Sequence, residues 1–107
     1  MLVLTRKPGE AILVDTDRYR IEVLGIEDKI ATLELSIKGK QTYQRRLLKL
    51  RPEMRLRLPE AGEMLCCSIR TDKVRLGFQA DRSVKIIREE VADTWVLRPI
   101  NEQEDTK

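Results

Sequence analysis

The sequence predicts a β-rich single domain, and three observations predict it. Apolar and polar residues alternate with period two along several stretches. Turn-forming Pro, Gly and Asp residues separate those stretches at short intervals. Only two short segments, Thr42 to Leu50 and Ala92 to Leu97, suggest helix. A chain of 107 residues with 41% apolar content is long enough for one modest core. It holds only four aromatics, Tyr19, Tyr43, Phe78 and Trp95, so burial of further surface by dimerisation is expected.

The elements follow in order. Leu2–Thr5 and Glu10–Val14 read as strands flanking a Lys7-Pro-Gly9 turn, which predicts a hairpin. After the Asp15–Asp17 turn, Tyr19, Ile21 and Val23 alternate with Arg18, Arg20 and Glu22 as a half-buried strand. Ala31, Leu33, Leu35 and Ile37 repeat that pattern until Lys38-Gly39-Lys40. Tyr43, Leu47, Leu48 and Leu50 predict a short helix stopped by Pro52. Arg55–Leu58, Met64–Ile69, Val74–Phe78 and Val84–Val91 read as strands again, and Ala92–Leu97 as a short helix carrying Trp95. Residues 98–107 are polar and mostly acidic, which predicts a disordered tail.

Charge is unevenly placed. The net charge is only +3, yet Lys38, Lys40, Arg45, Arg46, Lys49, Arg51, Arg55 and Arg57 face Glu53 alone in their stretch. Such a run fits a phosphate backbone or serves as a solvated face. The chain has no histidine and no Gly-rich phosphate loop. Those gaps remove the commonest general base and metal ligand, so neither an enzyme nor a metal or other cofactor is expected. Cys66 and Cys67 are adjacent, which strains any disulfide between them and predicts reduced thiols. No signal peptide or apolar run of spanning length is seen, so a cytoplasmic protein without membrane contact is expected.

Three segments carry a family resemblance. Met1-Leu-Val-Leu-Thr-Arg-Lys-Pro-Gly-Glu10 resembles the MLxLTRKxGE opening of the CsrA/RsmA family of bacterial post-transcriptional regulators. Ile21-Glu-Val-Leu-Gly25 is similar to that family's ITVLG segment, and residues 74–91 resemble its VRIGxxAPxxVxVHREEI ending. Ile87 stands where the family has His, and Asp81 where it has Pro. Residues from about 28 to 72 have no counterpart in a standard member and read as an insertion within a domain spanning 1–97.

The resemblance implies a small barrel- or sandwich-like antiparallel β domain of strands interleaved between two subunits. It implies binding of GGA-containing loops in messenger leaders and small RNAs, and so control of translation and message stability. Leu4, Thr5, Arg6 and Lys7 would form one wall of the RNA site. Ala80, Val84, Ile86, Arg88 and Glu89 would form the other, contributed by the partner chain. A regulatory small RNA or a protein antagonist is a further expected partner. The alternative is a divergent paralogue acting as a protein-interaction module, or a non-specific RNA binder through its basic run.

Overall fold

The computed structural model describes residues 1–91, whose nine strands form two antiparallel sheets over one core. The strands are β1 (Leu2–Arg6), β2 (Ala11–Val14), β3 (Tyr19–Glu27), β4 (Ile30–Lys38), β5 (Tyr43–Leu50), β6 (Arg55–Leu58), β7 (Gly62–Ile69), β8 (Val74–Gln79) and β9 (Ile86–Arg88). One sheet has the order β1-β8-β7-β6 and the other β5-β4-β3-β2-β9. Ile12, Ile21, Val23 and Leu33 from one sheet meet Leu58, Met64, Leu76 and Phe78 from the other, all buried. The alternation read in β3 and β4 holds, because one face of each strand meets this core. Tyr19 ties the sheets together by donating its hydroxyl to the Pro59 carbonyl at 2.8 Å. Among the described residues no helix is long and apolar enough to cross a membrane. The expected helix at Ala92–Leu97, the seat of Trp95 and the tail at 98–107 lie outside the described residues.

Three expectations are corrected. The segment read as a helix, Thr42 to Leu50, is strand β5, paired along β4 from Lys38↔Tyr43 to Ala31↔Leu50. Leu50 is buried and Leu48 half-buried, whereas Leu47 before them (68% exposed) and Lys49 between them are exposed, so the working period is two, not 3.6. The outer edge of β4 satisfies its backbone groups by pairing with this segment, which overrides a weak helical spacing. The expected β1–β2 hairpin does not form either. The Pro8 turn carries the chain from one sheet to the other, and β1 pairs β8 while β2 pairs β3 and β9. Finally, the last strand is confined to Ile86–Arg88, and residues 89–91 begin a helical turn.

The register exposes an internal repeat. β2-β3-β4 and β6-β7-β8 are both antiparallel meanders, and a constant offset of 43 residues superposes the pairings of their second and third strands. Val23↔Leu33 becomes Cys66↔Leu76, and the bulge after Val23 recurs after Cys66. An offset of 44 relates the preceding segments, Leu4–Pro8 and Leu48–Pro52. The two turns match bond for bond. Gly9 N–H donates to the Val23 carbonyl at 2.7 Å, and Glu53 N–H donates to the Cys66 carbonyl at 2.7 Å. Both turn residues have positive φ, 91° at Gly9 and 75° at Glu53. The opening strands are exchanged between the halves: β1 edges β8 of the second meander, and β5 edges β4 of the first.

The exchange is incomplete. β9 covers the outer edge of β2, so Ala11 and Ile12 are buried. Among the described residues no strand occupies the corresponding place beside β6, where Arg55 and Arg57 are exposed. Residues 28–72 therefore supply the whole of β4, β5, β6 and β7, continuing both sheets rather than standing apart from them.

Candidate nucleic-acid interface

β1 is the edge of one sheet and β9 the edge of the other, and both border the same cleft in a single chain. The expectation placed the two walls on different subunits; within this one chain β1 and β9 already border a common cleft. The Pro8 crossover places β1 in one sheet and β2 in the other, and β9 of the same chain then pairs with β2. The cleft, about 440 Å³, is lined by Leu2, Phe78, Ala80, Asp81, Val84 and Ile86, with Met1 and Gln79 at its rim. Gly77 lets β1 approach closely: a Cβ there would collide with the Met1 sulfur and lie 3.0 Å from Cys67 Sγ.

Arg6 holds the walls together. Alternation turns Leu4 and Arg6 inward, leaving Val3 and Thr5 exposed. Arg6 is 5% exposed, and its guanidinium donates to Glu90 Oε1 and Oε2 at 2.8 and 3.0 Å. It also donates to the Ala11 carbonyl at 3.2 Å and to the Thr5 carbonyl at 2.9 Å. A planar fork suits this two-oxygen bridge. The Arg6 hydrogen bond also holds the Glu90 carboxyl below the usual carboxylate range. Lys7 N–H donates to Glu10 Oε1 at 2.9 Å, so Glu10 braces the turn.

The proposed site residues therefore separate by environment. Ala80, Val84 and Ile86 line the cleft, and Leu4 is half-buried against the core. Thr5, Lys7 and Arg88 are exposed and do not line it. Arg6 is enclosed by its bridge, so it positions the cleft rather than reaching out of it. Glu89 is likewise engaged, accepting from Arg20 at 2.6 and 3.0 Å. That bond, together with one to Glu22 at 2.8 Å, raises the Arg20 pKa and locks the guanidinium in its charged form. Arg88 makes no side-chain hydrogen bond or ion pair among the described residues, so its donors face solvent. Sequence reasoning missed the positioning roles of Arg20 and Glu90 and the lining role of Leu2. The Arg6–Glu90 pair spans 84 positions, and no local pattern announces such a bond.

The basic run divides as well. Lys38 pairs with Asp17 at 2.8 Å, and Lys40 lies beside it at the β4–β5 turn. Arg45, Arg46 and Lys49 are exposed on β5, Arg51 follows in the turn, and Arg55 and Arg57 are exposed on β6. Arg55 donates to Glu63 at 2.9 Å. On β7, Cys66 is buried and Cys67 half-buried at the bulge, both as free thiols. Desolvation, with Cys67 beside it, pushes the Cys66 thiol up to about 11, which keeps it protonated and unreactive at neutral pH.

No solved structure matches the chain. Residues 63–96, which begin in β7 and run through β8 and β9, match the CsrA family, described as the global regulator protein family. This match supports membership of the CsrA family of global regulators, whose members are generally RNA-binding.

Proposed function

We propose that the protein is a post-transcriptional regulator that binds GGA-containing RNA hairpin loops in the cleft between β1 and β9. One observation carries this reading: the edge strands of both sheets, at opposite ends of the chain, border one cleft, and exposed Lys7 and Arg88 stand at the ends of those same two strands. The family match across β7–β9 covers one of those walls. Arg88, exposed and without a side-chain hydrogen bond or ion pair among the described residues, supplies a planar fork of the kind that recognises a guanine edge or a phosphate with paired hydrogen bonds. Splayed loop bases also need apolar contact, which Leu2, Val84 and Ile86 offer inside the cleft. Asp81 on the cleft's rim repels phosphate, so the backbone runs along the Lys7 and Arg88 sides. Binding over a message's leader represses its translation or alters its stability, and a small RNA bearing several such loops competes for the protein. Both walls lie in one chain, so each chain carries one such site.

The test is a titration with a hairpin displaying GGA in its loop and with a loop-scrambled control. The native hairpin is expected to bind tightly and the control weakly. Arg88→Ala is expected to weaken hairpin binding about ten- to a hundredfold, the worth of a charged bidentate contact of ~1.5–3 kcal/mol. Equal affinity for both hairpins would refute loop recognition.

A further inference from the structure

The repeat equates the proposed site with a second place on the molecule. Under the offset of 44, β5 corresponds to β1, and six positions share one burial pattern: residues 1–6 and 45–50 both run exposed, exposed, exposed, half-buried, exposed, buried. The turn after β5 repeats the turn after β1, and β6 follows as β2 does. Among the described residues no strand corresponds to β9 here, so within them this second place has one wall and an open sheet edge.

The residues beside that opening have changed in one direction. Met1, Leu2, Thr5, Ala11 and Leu13 correspond to Arg45, Arg46, Lys49, Arg55 and Arg57. Five neutral positions have become five basic ones, all exposed, and only Arg55 has an acidic partner among the described residues. A charged edge also discourages sheet-to-sheet aggregation. Mixed signs would serve that purpose equally well, whereas a single sign along two strands and their turn builds a field that attracts polyanions. Tyr43, 54% exposed on the same strand, lies with its ring centroid 5.5 Å from the Arg45 guanidinium. An exposed ring beside cations is the combination that holds an unpaired nucleic-acid strand by stacking and charge.

We propose that the β5–β6 strip binds the phosphodiester backbone of single-stranded RNA flanking the loop held at the β1–β9 cleft. The proposal rests on the loop-binding reading for its RNA, but the strip binds without base selection, because it lacks a second wall. One site then selects the message and the other lengthens its hold on it.

Three RNAs test this: the GGA hairpin alone, the hairpin with a single-stranded extension, and a GGA-free single strand of the same length. The variant Arg46→Ala/Lys49→Ala/Arg57→Ala alters only exposed side chains, and a thermal melt matching the wild type establishes its fold. Wild-type protein is expected to bind the extended hairpin at least tenfold more tightly than the short one, and to bind the GGA-free strand. The triple variant is expected to lose both gains while keeping its affinity for the short hairpin. Its salt dependence should fall by about two in slope, from about 0.7 per phosphate contact on a single strand. Unchanged binding of the extended and GGA-free RNAs by the triple variant would overturn the proposal, as would no binding of the GGA-free strand by wild type. Arg88→Ala separates the two readings: it should lose the short hairpin yet keep the GGA-free strand. If Arg88→Ala keeps the short hairpin, the loop reading fails while the strip stands on its own result.

Discussion

Arg6→Ala is expected to destabilise the fold by about 3 kcal/mol, read as a shift of the urea midpoint. Arg6 is buried, and its removal strands the Ala11 carbonyl inside the protein and deletes the two bonds to Glu90. Losing one partner of an enclosed charged network costs several times more than losing a surface pair. Arg6→Lys keeps the charge but not the fork, and should recover less than half of the loss. The effect also carries a pH signature. Glu90 titrates below its ordinary value near 4.5 in the fold because Arg6 bonds its ionised form. Its contribution is therefore fully present above that value and is lost as pH falls through the lowered one. Glu90 is 57% exposed, so this component is small, and it should be absent from Arg6→Ala. A midpoint within error of wild type would show that β1 and the β9 region are not held by this bridge.

Gly62→Ala is expected to cost at least as much, for a different reason. Gly62 opens β7 at φ 107°, a conformation that side chains rarely adopt, and a Cβ there would collide with the Gln79 carbonyl oxygen and lie 2.9 Å from Ala80 Cα. The Leu58↔Gly62 pairing and the start of the β7–β8 pairing both depend on that close approach. A loss of about 3 kcal/mol or more follows from backbone strain combined with displaced backbone. Gly9→Ala is the control. Gly9 also has positive φ, 91°, but nothing lies within 4 Å of its Cβ position. It should cost only about 1–2 kcal/mol, the strain alone. Equal losses at the two glycines, read in the same urea titration, would contradict the close packing of β7 on Gln79 and Ala80.

Much of this architecture was legible along the chain. The mainly β class, the β3 and β4 alternation and the turns at Asp15, Gly39 and Asp72 all follow local rules that hold in the fold. The pairing of β1 with β8 rather than β2 was not legible, because proximity through the Pro8 turn favours a hairpin and only the whole core decides otherwise. The repeat was hidden for a related reason. Its halves share register, bulge and turn bonds, but corresponding residues such as Ile21 and Met64, or Leu24 and Cys67, share little beyond size and polarity. The misread helix at Thr42–Leu50 belongs to the same blind spot, since β5 is the counterpart of β1 and only that equivalence marks it as an exchanged strand.

The candidate site divides similarly. Lys7 and Arg88 were marked by the resemblance and are exposed, and Ala80, Val84 and Ile86 line the cleft. Arg6 and Glu89 carried the same mark, yet their partners enclose them, because burial and ion pairing are tertiary properties that a motif does not display. Their bonds tie β1 and β3 to the residues that follow β9.

The central claim is that one chain supplies both walls, and a complementation titration tests it most directly. Two variants, Lys7→Ala in the first wall and Arg88→Ala in the second, are each unfolded, mixed in equal amounts and refolded together. Their binding to the GGA hairpin is then compared with that of each variant refolded alone. If both walls lie in one chain, every molecule keeps its own defect, and the mixture binds no better than the average of its parts. If the walls come from different subunits, some mixed pairs contain one intact site, and a fraction of tight binding reappears. The intrachain cleft predicts no restoration, and a restored tight-binding fraction would contradict it.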